Sequence, residues 1–122
     1  MLEINLDKEN GIAVLSPHGK LSKDDFVNVA KVIDPYIDEV GKLNGIIIYT
    51  ELFPGWDSFA TMIKHLEFVK AHHKKVSHVA LVTDSSLGEF GEHFANHFTS
   101  AEIKHFAFKE YKKAQKWILE AV

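Results

Sequence analysis

The sequence predicts an α/β domain with element order ββαβαβαβα, built on a mostly parallel five-stranded sheet with one antiparallel edge strand. Three observations carry this. A short alternating segment, Leu2, Ile4 and Leu6, is followed by Asn10-Gly11, a strong hairpin signal. Two later segments, Gly45 to Thr50 and Val76 to Thr83, are apolar on both faces, as central parallel strands are. Between and after them lie stretches with helical apolar spacing, so αβ units repeat and right-handed crossovers follow.

The first strand is half-buried by its alternation, and Ile12 to Ser16 returns antiparallel to it before Pro17-His18-Gly19 ends the pair. Ser22 is a good helix N-cap, with Asp25 three residues on. Phe26, Ala30, Ile33, Ile37 and Val40 then repeat at helical spacing. Pro35 interrupts this run, and Asp34-Pro35 is a possible restart, so a kink or break is expected there. After the Gly45 strand comes a loop, residues 51–57, and a helix whose stripe is Phe59, Met62, Ile63, Leu66 and Val69. It fades at His72-His73-Lys74-Lys75, where cations suit the negative helix end. Ser86 with Glu89 is a capping-box signature opening a helix with Leu87, Phe90, Phe94 and Phe98. Ile103 to Phe108 is the expected last strand, and a helix from about Lys109 carries Tyr111, Ala114, Trp117 and Ile118.

Length and composition bound the function. A chain of 122 residues is expected to be one domain, residues 1–122, and needs no staple to bury a core. It has no cysteine, which excludes disulfides, thiolate metal sites and thiol nucleophiles. Neither a signal peptide nor a membrane span is visible, so a cytoplasmic location is expected. Residues 1–57 carry ten acids against five lysines, and residues 58–122 seven acids against nine lysines. Every basic residue is Lys. Arg is the usual bidentate reader of phosphate and guanine, so nucleic acid is not an expected partner.

The order of elements resembles the STAS domains, and more closely the SpoIIAA-like family of small bacterial proteins. The residues that carry the likeness are the Gly19-Lys20-Leu21 turn, the Ile-rich strand leading to a helix start at Asp57-Ser58, the Phe53-Pro54-Gly55-Trp56 loop, and Ala114-x-x-Trp117-Ile118. The resemblance spans essentially the whole chain. It implies the fold shared by STAS and CRAL-TRIO domains, the latter holding lipids in an apolar cavity. It also implies a regulatory role like that of the anti-sigma-factor antagonists, which act through a phosphorylatable Ser at the start of the helix after the third strand. Ser58 lies nearest that position. The family pattern there is Asp-Ser-Ser-Gly, whereas this chain reads Asp57-Ser58-Phe59-Ala60. The plain alternative is that Ser58 or Asp57 caps a helix.

Two functional readings follow. The first is a non-enzymatic binding module for a nonpolar, lipid-like ligand. Its lining would be Phe59, Met62, Ile63, Leu66, Leu87, Phe90, Phe94 and Phe98, with Phe53 and Trp56 at the mouth. Gly88 and Gly91 weaken the Phe-rich helix by up to ~1 kcal/mol each relative to Ala, so its order depends on its neighbours. The exposed aromatic loop beside Lys64, Lys70, Lys74 and Lys75 would suit peripheral contact with the inner membrane. The ordinary alternative is core packing of the stripes, with Trp56 tucked over the sheet end. The second reading is a protein-interaction module docking through the helix at Ser58 and the loop before it, with a homodimer or a regulatory protein as partner. No cofactor is expected. His93 and His97 have metal-ligand spacing with Glu89 four residues before, but Phe94 stands where the zinc-helix motif has Glu. His78 and His105 fall on strands read as neighbours and are expected to share a sheet face as a hydrogen-bonded pair. No Gly-x-Ser-x-Gly elbow, P-loop or dinucleotide fingerprint is present, so no catalytic residue is assigned.

Overall fold

The computed structural model describes residues 2–18, 22–52, 76–84 and 102–120, with backbone only for Lys23, Phe26, Val76 and Ile103. Five strands form one sheet in the order β1-β2-β3-β4-β5: β1 (Leu2–Asp7), β2 (Ile12–Pro17), β3 (Leu43–Tyr49), β4 (Val76–Val82) and β5 (Glu102–Phe106). β1 pairs antiparallel with β2, and every other pair is parallel. Among the described residues there are two α-helices, α1 (Lys23–Val40) and α2 (Tyr111–Glu120), the second entered through a 3-10 turn, Phe108–Glu110. The expected five-stranded, mostly parallel sheet with its antiparallel edge is therefore present. The helices expected over Phe59 to Val69 and over Leu87 to Phe98 lie outside the described residues.

The hairpin closes through a four-residue loop between the paired Asp7 and Ile12. Gly11 sits at φ 66°, the left-handed region that glycine enters without a Cβ penalty. The loop is tied down from three sides. Gly11 N–H donates to the Asp7 carbonyl at 2.9 Å, and the Asn10 side-chain amide donates to the Asp7 carboxylate at 2.7 Å. Asn44, at the start of β3, donates from its backbone to Gly11 O and from its side chain to Asn10 O, each at 2.8 Å. The Tyr36 hydroxyl of α1 donates to Lys8 O at 3.2 Å. One turn is thus held by a helix and a strand distant in sequence.

α1 begins where the sequence says it should. Ser22 and Asp25 form a reciprocal capping box, the Ser22 Oγ accepting from Asp25 N–H and the Asp25 carboxylate from Ser22 N–H at 2.7 Å. The helix ends at Gly41, φ 95°, whose N–H donates to Ile37 O at 2.7 Å. The expected break at Pro35 and part of the expected apolar stripe are corrected. The helix runs on through Pro35 with no break, because Lys31 and Pro35 are both exposed and water can serve the carbonyl that proline leaves unpaired. Its buried stripe is Val29, Ile33, Tyr36 and Ile37, whereas Val40 is 54% exposed. Val40 is the last helical residue and has turned away from the sheet by the time the chain leaves for β3.

Strand alternation sends apolar side chains to both faces. On one face, Ala13 and Leu15 of β2, Ile46 and Ile48 of β3, and Val79 and Leu81 of β4 pack under α1. On the other, Ile12, Ile47, Ala80, Val82 and Phe106 meet Ala114 and Ile118 of α2. Gly45 permits this second contact. A Cβ there would lie 2.6 Å from Ile118 Cδ1, so the helix rests directly on the β3 backbone. β5 also ends earlier than its apolar run suggests. Phe108, expected within the strand, opens the 3-10 turn, and the Glu110 carboxylate accepts from Ala107 N–H at 2.9 Å to cap it.

Candidate functional site

The C-terminal ends of the parallel strands are gathered along one edge of the sheet and laced together there. The Glu51 carbonyl, just past β3, accepts from Asp84 N–H at 2.9 Å and from the Thr83 hydroxyl at 3.0 Å. Thr50 N–H donates to Val82 O at 3.2 Å, and Thr83 N–H to Phe106 O at 3.0 Å. The Asp84 carboxylate in turn accepts from Phe108 N–H at 3.0 Å, joining β4 to the start of the 3-10 turn. Buried backbone groups at strand ends need such partners, and the lacing fixes where the chain leaves the sheet after β3 and after β4. Ligands of parallel α/β sheets characteristically sit outside these carboxyl ends.

Two adjoining depressions open at this edge. One, about 460 Å³, lies at the rim between His18, Thr50, Leu52 and Phe108. The other, about 840 Å³, runs down the sheet face between β1–β2 and the start of α2. It exists because α2 covers β3, β4 and β5 but stops short of β1 and β2. Glu3, Ser16 and Tyr49 belong to both. Tyr49 is the hinge of the arrangement: its ring stacks on Phe108, with centroids 4.6 Å apart and planes at 11°, and tilts against Tyr111 at 4.9 Å.

The electrostatics of the groove are mixed. Lys109, Lys112 and Lys113 line its helical bank, and Lys113 meets Glu110 at 3.1 Å. The Ala107 N–H and then Lys113 hold the Glu110 carboxyl below the usual carboxylate range. On the strand bank Glu3 lies 3.6 Å from His18. Partial burial, then the Asp7 carboxylate and Tyr49, push the Tyr111 phenol up, so it keeps its proton and can donate.

The sequence-derived site residues do not fall among the described ones. Phe53, Trp56, Ser58, Phe59, Met62, Ile63 and Leu66 lie beyond Leu52, and Leu87, Phe90, Phe94 and Phe98 beyond Asp84. What the fold brings to one edge is the two departure points, Leu52 and Asp84, of the segments that contain them. His93 and His97 are likewise outside, and among the described residues no group of three or more His, Asp or Glu is placed to hold a metal. His78 and His105 are on neighbouring strands, but β4 places His78 opposite Glu102 while His105 lies opposite Leu81. The pairing register therefore puts them on opposite faces, and they form no pair. His78 is buried edge-on against Trp117, centroids 5.0 Å apart, with Nε2 3.5 Å from Glu102. Its Nδ1 lies 2.9 Å from the Ser77 hydroxyl, which donates to Asn44 O at 3.0 Å. His105 instead bonds Thr83 O at 2.8 Å, adding to the edge lacing.

A family model matches residues 12–119, a span that runs from β2 through the terminal helix carrying Ala114, Trp117 and Ile118. The chain belongs to the SpoIIAA-like family. The match leaves out only β1 and the hairpin turn at one end and a few residues at the other. No curated protein and no solved structure matches this SpoIIAA-like chain. No described helix is long and apolar enough to cross a membrane. Sequence reasoning missed Tyr49, Phe108 and the Lys109-Lys112-Lys113 bank as site residues. The i, i+3, i+4 spacing of those lysines was a visible sign that they share one side of the helix.

Proposed function

We propose that this chain is a STAS-like regulatory module that docks a protein partner through the C-terminal edge of its sheet. Membership of the SpoIIAA-like family is the observation that carries this. The edge geometry supports it: a laced rim presents Leu52, 64% exposed, six residues before Ser58 in the sequence. An exposed Leu beside a polar rim suits partner contact. The role needs no bond-making chemistry, and no residue is assigned to any. Ser58 is the position at which phosphorylation would add charge to the docking surface.

A photo-crosslinking residue placed at Leu52, and separately at Val32 on the exposed side of α1, tests the reading in cells that express the protein natively. A discrete protein adduct at position 52 and none at 32 is expected. Equal labelling at both, or none at 52, overturns it. The carrier of a nonpolar ligand expected from the Phe and Met stripes draws no support from the family match. Native mass spectrometry separates the two, since a lipid-sized mass favours the carrier and a phosphoryl adduct or bound protein the regulator.

A further inference from the structure

We propose that the groove between α2 and the β1–β2 face binds a small amphipathic anion, with a flat aromatic body and a carboxylate or phosphate head. This goes beyond partner docking, because it assigns a low-molecular-weight ligand to a second, adjoining site.

The size fits first. About 840 Å³ lies within the range of pockets for drug-sized ligands, roughly 300–1,000 Å³. The surfaces fit next. Tyr49 and Tyr111 supply aromatic wall, and Val14 an apolar floor, against which a flat ring can lie. The charge fits last. Lys109, Lys112 and Lys113 stand on one side of the helical bank within about one turn. Glu110 occupies Lys113, and no ion pair among the described residues occupies Lys109 or Lys112. Lys109 immediately precedes α2 and Lys112 lies in its first turn, where the helix adds its own positive partial charge. Ser16 on the opposite bank and the protonated Tyr111 phenol complete a donor set that suits an anion's oxygens. Glu3, across the groove, is engaged by His18 and repels an anion laid at that end, so the head group is placed toward α2. Since Glu3, Ser16 and Tyr49 are shared with the rim, a bound anion would sit against the docking edge.

Nitrogen-15 NMR of the full chain, titrated with phenyl phosphate and with benzoate, tests the proposal. Inorganic phosphate and benzyl alcohol supply head and body alone. Saturable shifts are expected at Ser16, Tyr49 and Lys109 to Lys113 with at least one aromatic anion, and the better of the two identifies the head group. Either half alone should bind at least about fivefold more weakly. Substituting the two exposed lysines together, K109Q/K112Q, should weaken binding about tenfold, and 300 mM salt should weaken it in the parent. No saturable shift with either anion, shifts mapping elsewhere, or undiminished binding by K109Q/K112Q overturns the proposal. Crosslinking at Leu52 requires no added ligand, so either reading can fail while the other stands.

Discussion

Gly45→Ala is expected to destabilise the protein although it adds one methyl group to a strand. The backbone at Gly45 has no left-handed φ, so alanine is conformationally acceptable and on its own would gain about 0.4–1 kcal/mol through the unfolded chain. Against this, the new Cβ would stand 2.6, 2.7 and 3.0 Å from Ile118 Cδ1, Cγ2 and Cγ1. Ile118 is fully buried against β3, so either its side chain or the helix has to shift within a packed core. Overpacking of this kind costs about 1–3 kcal/mol, which outweighs the entropic gain and leaves a net loss of about 1–2 kcal/mol. In a chain of this length that is roughly 4–8 °C in Tm. Ile118→Ala removes all three clashing atoms at its own cavity cost of about 2–5 kcal/mol. The double variant should therefore lose less than the sum of the singles, by about 1–2 kcal/mol. Urea unfolding followed by circular dichroism reads all four corners of the cycle. Gly45→Ala as stable as the parent, or an additive cycle, would refute direct packing of α2 on the β3 backbone.

Gly11→Ala should cost about 1–3 kcal/mol by chemical unfolding, because it combines a φ of 66° with a Cβ 2.8 Å from the Asn44 side-chain amide. Removing the capping box with Ser22→Ala should cost about 0.5–2 kcal/mol. The Ser22 backbone N–H, then its hydroxyl, hold the Asp25 carboxyl below its usual value of 3.8. A depressed folded pKa gives stability that is present above 3.8 and is lost as pH falls through the folded value, so Asp25→Asn should flatten the stability profile below about pH 4 and leave its shape above pH 5 unchanged. Tyr111 should titrate above 10.0, and Asp7→Asn should bring it down toward that value while burial keeps it raised; ultraviolet titration in a Tyr36→Phe, Tyr49→Phe background isolates it, and a midpoint at or below 10.0 in the parent would contradict the half-buried placement.

Features whose causes are local can be read directly along the chain. Alternation in Leu2, Ile4 and Leu6 names the buried side of an edge strand, and Asn10-Gly11 marks a turn that needs a left-handed residue. Ser22 and Asp25 cap a helix because both partners lie within four residues of chain. Val76 to Val82 reads as central because a strand covered on both faces has no polar side to show. The motifs of the terminal helix were legible too, with Ala114 and Ile118 buried four apart. Other features depend on contacts between segments distant in the chain. Pro35 stays helical because its turn faces solvent, which the local rule cannot know. His78 and His105 part company because register, set by pairing along the whole strand, assigns each a face. The groove follows from where β5 releases the chain: α2 returns over β3, β4 and β5, rests on Gly45, and leaves the β1–β2 face open beside its lysines. Tyr49 and Lys112 lie far apart along the chain, and only the packing of a helix on a distant strand makes them one site.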